Sequence, residues 1–229
     1  MLSADVAAAL QRSFLGRLPP DAVADLLEGQ QLLDLPADTM FYREGGPPRV
    51  FLMISGLVRL FLVARSGREV TVRYCRPPDV IGTALAVAGP LEVFAQTIAP
   101  TTLHGIDVRE LDEAAHRDAA VAFALAEELS HRLDETLEQI AINAFGSVKQ
   151  RVATHLLDLA SSASRSDARL AAGVSQQELA DAVGSVREVV ARALRDFRVA
   201  GLVATSTDEV VILDAIGLFE QSWGAAPGV

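Results

Sequence analysis

Between Met40 and about Ile106, apolar residues come in short runs broken every few positions. Val50-Phe51-Leu52-Met53-Ile54 is closed by Ser55-Gly56, and Leu57 to Val63 leads into Ser66-Gly67. Glu69 to Tyr74 alternates polar and apolar, the pattern of a strand with one face on a core. Pro77-Pro78-Asp79 punctuates it, and Val80-Ile81-Gly82 resumes. Short strands separated by Gly and Pro predict a barrel or a jelly-roll-like sandwich.

Further on, the period lengthens to that of a helix. Residues 118–145 contain neither Pro nor Gly. Ala126, Leu129, Leu133, Thr136, Ile140 and Asn143 recur at alternating steps of 3 and 4, a heptad seam widened by Leu125 and Leu137. Glu127, Glu128, Arg132, Asp134, Glu135 and Glu138 lie off it. Two packings satisfy this pattern. One is an amphipathic helix on its own domain. The other is a two-chain coiled coil, with Leu129, Leu133, Thr136 and Ile140 at a homodimer interface. Gly146 breaks the helix, and Val148 to Leu159 predicts another, with Val148, Val152, Leu156 and Leu159 on one face.

After a polar loop at 161–167 comes a more specific arrangement. Ser175 followed by Glu178 is a capping box, so a helix is predicted over Gln176–Val183, ended by Gly184. Ser185 is expected to cap the next helix, roughly Val186–Val199, which Gly201 ends. Two short helices about a Gly turn form a helix-turn-helix, whose second helix enters the major groove of DNA. Arg187, Glu188 and Arg192 open that second helix. Arginine pairs with guanine O6/N7, and glutamate accepts from cytosine N4. Gln176, Gln177 and Ser185 complete the expected DNA-contacting set. Lys149 and Arg151, together with Gln176, are the expected phosphate contacts. Residues 202–204 and 210–213 flank a polar turn and predict a hairpin wing. The other reading is a plain helical hairpin with a solvated charged face.

Charge changes this picture little. The chain of 229 residues carries a net −10, but residues 146–213 hold eight basic and eight acidic side chains. Local placement of Lys and Arg, not whole-chain charge, governs affinity for phosphates. The length suits two domains. No apolar run approaches the ~20 residues of a membrane span, and the N-terminus lacks a basic signal region, so a cytoplasmic protein is expected. The lone Cys75 excludes a disulfide framework, a four-cysteine iron–sulfur cluster and a thiolate-rich zinc site. No nucleophile elbow, P-loop or His-Glu-x-x-His is present, so no enzyme is expected and no metal ligand set is assigned.

Taken together, these segments resemble the CRP/FNR family, over nearly the whole chain and in the same order. The resemblance rests on Val50 to Leu60, Gly67-Arg68-Glu69, Pro77-Pro78-Asp79-Val80-Ile81-Gly82 and the run 126–160. It rests above all on Ser175-Gln176-Gln177-Glu178-Leu179-Ala180, Gly184, Arg187-Glu188, Arg192-Ala193-Leu194 and Gly201-Leu202-Val203. Pro78 stands where relatives usually carry Gly. The resemblance implies an α+β protein with three parts. These are an N-terminal β-roll of the cyclic-nucleotide-binding type (1–117), a long dimerisation helix (118–145) and a C-terminal winged helix-turn-helix (146–229). It further implies an allosteric transcription regulator that binds inverted-repeat double-stranded DNA as a homodimer, with half-sites related to TGTGA. RNA polymerase is the implied protein partner and a small molecule the implied effector.

By the same resemblance, the effector pocket would involve Gly82, Thr83, Ala84, Glu92, Val93, Thr136 and Leu137. The family's cyclic-AMP binders hold the phosphate with a Gly-Glu step and an Arg-Ser step about ten residues on. Here Gly82 precedes Thr83, the span 84–99 has no Lys or Arg, and the Arg-Ser position falls around Glu92-Val93-Phe94. A buried phosphate without a cation is costly. Tight binding of cyclic AMP is therefore not expected, unless a cation such as Arg73 or Arg132 reaches the site. Another ligand, or none, would take its place. Haem is a further alternative, with Cys75 or His104 as conceivable axial ligands. That alternative is a haem- or small-molecule-sensing module of the same fold with weak or no DNA binding.

Overall fold

The computed structural model describes the chain except residues 1–2, 43–48, 64, 66, 68, 85–92, 163–168 and 224–229. The side chains at 138–140, 143–144 and 223 also lie outside the description. Two compact units form, Met1–Glu135 and Thr136–Val229.

Among the described residues, the first unit holds eight strands: β1 (Leu32–Leu35), β2 (Met40–Tyr42), β3 (Val50–Ser55), β4 (Val58–Val63), β5 (Glu69–Cys75), β6 (Val80–Ile81), β7 (Phe94–Thr97) and β8 (Thr101–Ile106). They make two antiparallel sheets, ordered β1-β8-β3-β6 and β2-β7-β4-β5. Between the sheets lies a core of Tyr42, Phe51, Met53, Val58, Cys75, Ile81, Ala95 and Leu103. The outer face of the first sheet contributes Val50, Leu52, Val80 and Ile106 to a second core. Covering that face are helices α1 (Ala4–Arg12), α2 (Pro20–Leu27) and α3 (Val108–Arg117), a 3-10 turn (Phe14–Arg17) and the start of α4 (Ala119–Phe145). Because β3 is buried on both faces, its sequence is a continuous apolar run and not an alternation.

Helix α4 begins after Asp118, whose carboxylate accepts from the Ala120 amide, and runs unbroken to Phe145. Leu125 belongs to the buried core, and Leu129 packs partly against it. Leu133, Leu137 and Phe123 lie progressively further round the same helix and are 60%, 55% and 66% exposed.

In the second unit are α5 (Val148–Ser162), β9 (Ala171–Ala172), α6 (Gln176–Ala182), α7 (Arg187–Val199), β10 (Val203–Thr205), β11 (Val210–Ile212) and α8 (Ala215–Trp223). Val152, Leu156, Leu157, Leu179, Val190, Leu194, Phe197, Leu218 and Phe219 are buried there. The expected wing is the β10–β11 hairpin. β9 adds a third strand on β11 that the sequence reading did not foresee.

Candidate nucleic-acid interface and effector pocket

Helix α6 starts where the capping box predicts. The Ser175 hydroxyl accepts from the Glu178 amide at 3.3 Å, and the Glu178 carboxylate accepts from the Ser175 amide at 2.9 Å. These bonds hold the Glu178 carboxyl below its ordinary pKa. The end of α6 corrects one expectation. Gly184 adopts φ +62°, a conformation costly for a residue with a Cβ. Its amide donates to Asp181, and the Ser185 amide donates to Ala180 at 2.9 Å, a Schellman closure. The Ser185 amide thus belongs to the closure of α6. Val186 occupies the cap of α7, with no side-chain hydrogen bond, and the helix starts one residue late at Arg187.

Val190, Ala193, Leu194 and Phe197 bury one face of α7. Arg187, Glu188 and Arg192 lie exposed, as does Arg195, which the sequence reading passed over. Its signal was available: Glu188, Arg192 and Arg195 step by 4 and 3 along one helical face. Gln176, Gln177, Arg187 and the wing residues 206–208 line a single cleft of about 510 Å³. The wing is tied to α7 by Arg198, whose guanidinium donates to Thr205 Oγ1 at 3.3 Å. Gln177 also donates to Asp181 at 2.9 Å. The expected phosphate contacts fare differently. Arg151 turns inward and donates to the Val183 and Gly146 carbonyls, satisfying helix-end acceptors. Lys149 lies 5.5 Å from the centre of the Phe197 ring.

In the first unit, Gly82 takes φ +91°, Thr83 is buried, and Ala84 and Val93 are half-buried. Glu92 and the side chains of Ile140 and Asn143 lie outside the described residues. Thr136 and Leu137 belong to the second unit. What the sequence did not foretell is the pairing of Arg73 and Arg132. Leu60 and Arg73 face each other across the β4–β5 ladder. Arg73 Nη2 donates to Asp79 Oδ2 at 2.8 Å, and Arg132 Nη1 lies 3.0 Å from Asp79 Oδ1. Arg132 also meets Glu128 at 2.6 Å and Glu135 at 2.5 Å. Burial alone would lower both arginine pKa values. Asp79 and Glu128 for Arg132, and Cys75 and Asp79 for Arg73, instead hold them above the ordinary value.

Burial pushes the Cys75 thiol up to about 11, with Arg73 opposing. A thiol raised this way favours the folded state below its unfolded pKa of about 8.5. That contribution fades as pH climbs through the folded value. Cys75 is expected to resist iodoacetamide in the native protein at mildly alkaline pH and to react once unfolded. Rapid native labelling, read by mass, would contradict its burial. His104 is buried too, its Nδ1 2.8 Å from the Gly105 carbonyl. Among the described residues, no group of three His, Cys, Asp or Glu could hold a metal ion. None of the described helices is long and apolar enough to cross a membrane.

Known proteins carry both halves in this order. Residues 32–118 match the cyclic nucleotide-binding domain and residues 150–220 the Crp-like helix-turn-helix domain. Transcriptional regulator LdrP of Thermus thermophilus is 30% identical over 192 residues, covering 82% of this chain and 94% of its own. A CRP-like cAMP-activated global transcriptional regulator of Mycobacterium tuberculosis is 30% identical over 201 residues, covering 86% and 90%. A crp/fnr-family regulator from Eubacterium rectale shares the fold with a TM-score of 0.58 at 23% identity, covering 90% of this chain and 96% of its own. With a two-sheet roll, a long helix and a winged helix-turn-helix in register with such relatives, the chain belongs to the CRP/FNR family of transcription regulators.

Proposed function

We propose that this regulator reads an inverted-repeat DNA site as a homodimer, through Arg187, Glu188 and Arg192 of α7. Gln176 and Gln177 line the neighbouring cleft. One observation carries the reading: α7 buries its apolar face and leaves that Arg-Glu-Arg set exposed beside the wing. Two such helices about one turn of DNA apart, roughly 34 Å, match a palindrome. Arg195 adds a cation near the phosphates. RNA polymerase is the partner a promoter-bound regulator would meet. Sequence selection on the purified protein tests the reading, and an inverted repeat related to TGTGA is the expected result. Recovery of no palindrome, with or without cell extract, would reject it.

The effector is a separate question. The M. tuberculosis relative is named for activation by cyclic AMP. For this chain we expect no tight binding of that nucleotide. Thr83 replaces the family's Glu, and Arg73 and Arg132 already face carboxylates. A cyclic phosphate would have to displace Asp79 from them. Calorimetry should detect no binding at micromolar concentration; a micromolar Kd would sink the expectation.

A further inference from the structure

The two helices of the helix-turn-helix open in different ways. Ser175 and Glu178 cap α6 reciprocally. The matching positions of α7 both hold valine: Val186 at the cap and Val189 three residues on. Neither side chain can accept from a backbone amide. Both are poor choices for their places, since a cap calls for a side-chain oxygen and a β-branched residue is stiff in a helix. Burial does little to offset this, because Val186 and Val189 are 58% and 37% exposed.

Their position on the helix is specific. Arg187 lines the cleft beside the wing, and Arg198, about three turns further along, bonds to Thr205 of β10. These two arginines mark the flank of α7 that faces the wing. Val189 lies about 200° round the helix from Arg187, beyond Glu188 and Arg192. Val186 stands one turn before it, and its carbonyl accepts from the Val189 amide at 3.1 Å. Across the exposed face, then, Arg187 comes next to the wing, Glu188 and Arg192 follow, and the two valines form the far edge. Val190, Ala193, Leu194 and Phe197 are buried past that edge.

Phosphates and most groups on base edges are polar and offer valine nothing. The apolar group that the major groove presents is the C5 methyl of thymine. We propose that Val186 and Val189 form a thymine-reading patch, packing on that methyl in each half-site, on the side of the reading helix away from the wing. The proposal rests on the reading of α7 as the helix that enters the groove. It adds a preference that the charged set does not supply, since arginine answers to guanine and glutamate to cytosine.

The test uses the full-length protein and the selected inverted repeat, with each thymine on either strand of a half-site replaced in turn by uracil. Uracil keeps the pairing and the O4 acceptor and loses only the methyl. Affinity, read by fluorescence anisotropy, should fall about fourfold at one or two of these positions and about fifteenfold when both half-sites are changed, the worth of one buried methyl and of two. Val189→Ala and Val186→Ser should each reduce or abolish this penalty. Neither threatens the fold, because alanine is the better helix former and serine restores a cap, so the melting temperature should hold or rise. A purely structural role for the valines would move stability and leave the uracil penalty alone. Affinity indifferent to uracil at every position overturns the patch and leaves the arginine reading standing. So does a penalty undiminished in both variants, which places the effect of the methyl in DNA shape or in another residue. Failure of the parent to bind any sequence overturns both the patch and the DNA reading.

Discussion

Replacing Leu133 with glutamate is expected to halve the mass seen by light scattering, from twice the 24.3 kDa chain to a single copy. In the isolated chain Leu133 is largely exposed, beside an equally open Leu137, with Phe123 further along the same stripe. Such a stripe is an uncovered surface until a second copy buries it. Full burial of one leucine is worth about 1.5–3 kcal/mol, and a parallel coiled coil counts each residue twice. Glutamate removes that gain and sets two carboxylates against each other in a dry seam. The chain's own fold should hardly notice, since exposed substitutions usually cost within about 0.5 kcal/mol. The expected pattern is therefore specific: an unchanged melting temperature, a halved mass and lost affinity for an inverted repeat. A double-sized species that persists places the dimer contact elsewhere.

This stripe also shows where sequence reading stops. The heptad pattern named Leu133 and offered two packings for the helix. In the structure Leu129 packs partly on its own domain, while Leu133 and Leu137 stay open. One helix thus serves a core along one line and leaves another uncovered, and both lines share one periodicity. Strands β3 to β6 were legible because Gly and Pro cut the apolar runs between them. β1, with four residues of alternating exposure, and β9, with two, are too short to leave a period. Both exist because a neighbouring strand pairs with them.

The charged network was hidden for a different reason. Glu128, Arg132 and Glu135 read locally as a solvated helix face. Only the fold sets them against Asp79 and Arg73, more than 40 residues earlier in the chain. Ser185 marks the limit of residue-type preference: its side chain favours a helix cap, yet its amide closes α6 beside Gly184 and the cap position of α7 falls on Val186. By contrast, the capping box at Ser175 and the Arg-Glu-Arg spacing of α7 depend on residues within one or two turns. Such local features survive translation from sequence to structure.

Arg187→Ala is expected to weaken binding to the selected DNA site by about 1–3 kcal/mol and to relax discrimination at one base position. Arg187 is the first residue of α7, exposed, and lines the cleft shared with Gln176, Gln177 and the wing. A guanidinium there has the fork geometry to engage guanine O6 and N7 together. Removing it should leave the fold intact, because the helix is held by Val190, Leu194 and Phe197 on its other side. The measurement is affinity for the selected site and its single-base variants, each over a range of salt concentrations. A base-reading arginine loses selectivity at one position. A phosphate-contacting one, as expected for Arg195, loses affinity for all sequences alike and lowers the salt slope by about one. Arg187→Ala with selectivity intact and only the salt slope reduced would move Arg187 to the phosphate backbone. An unchanged affinity would remove α7 from the DNA interface altogether.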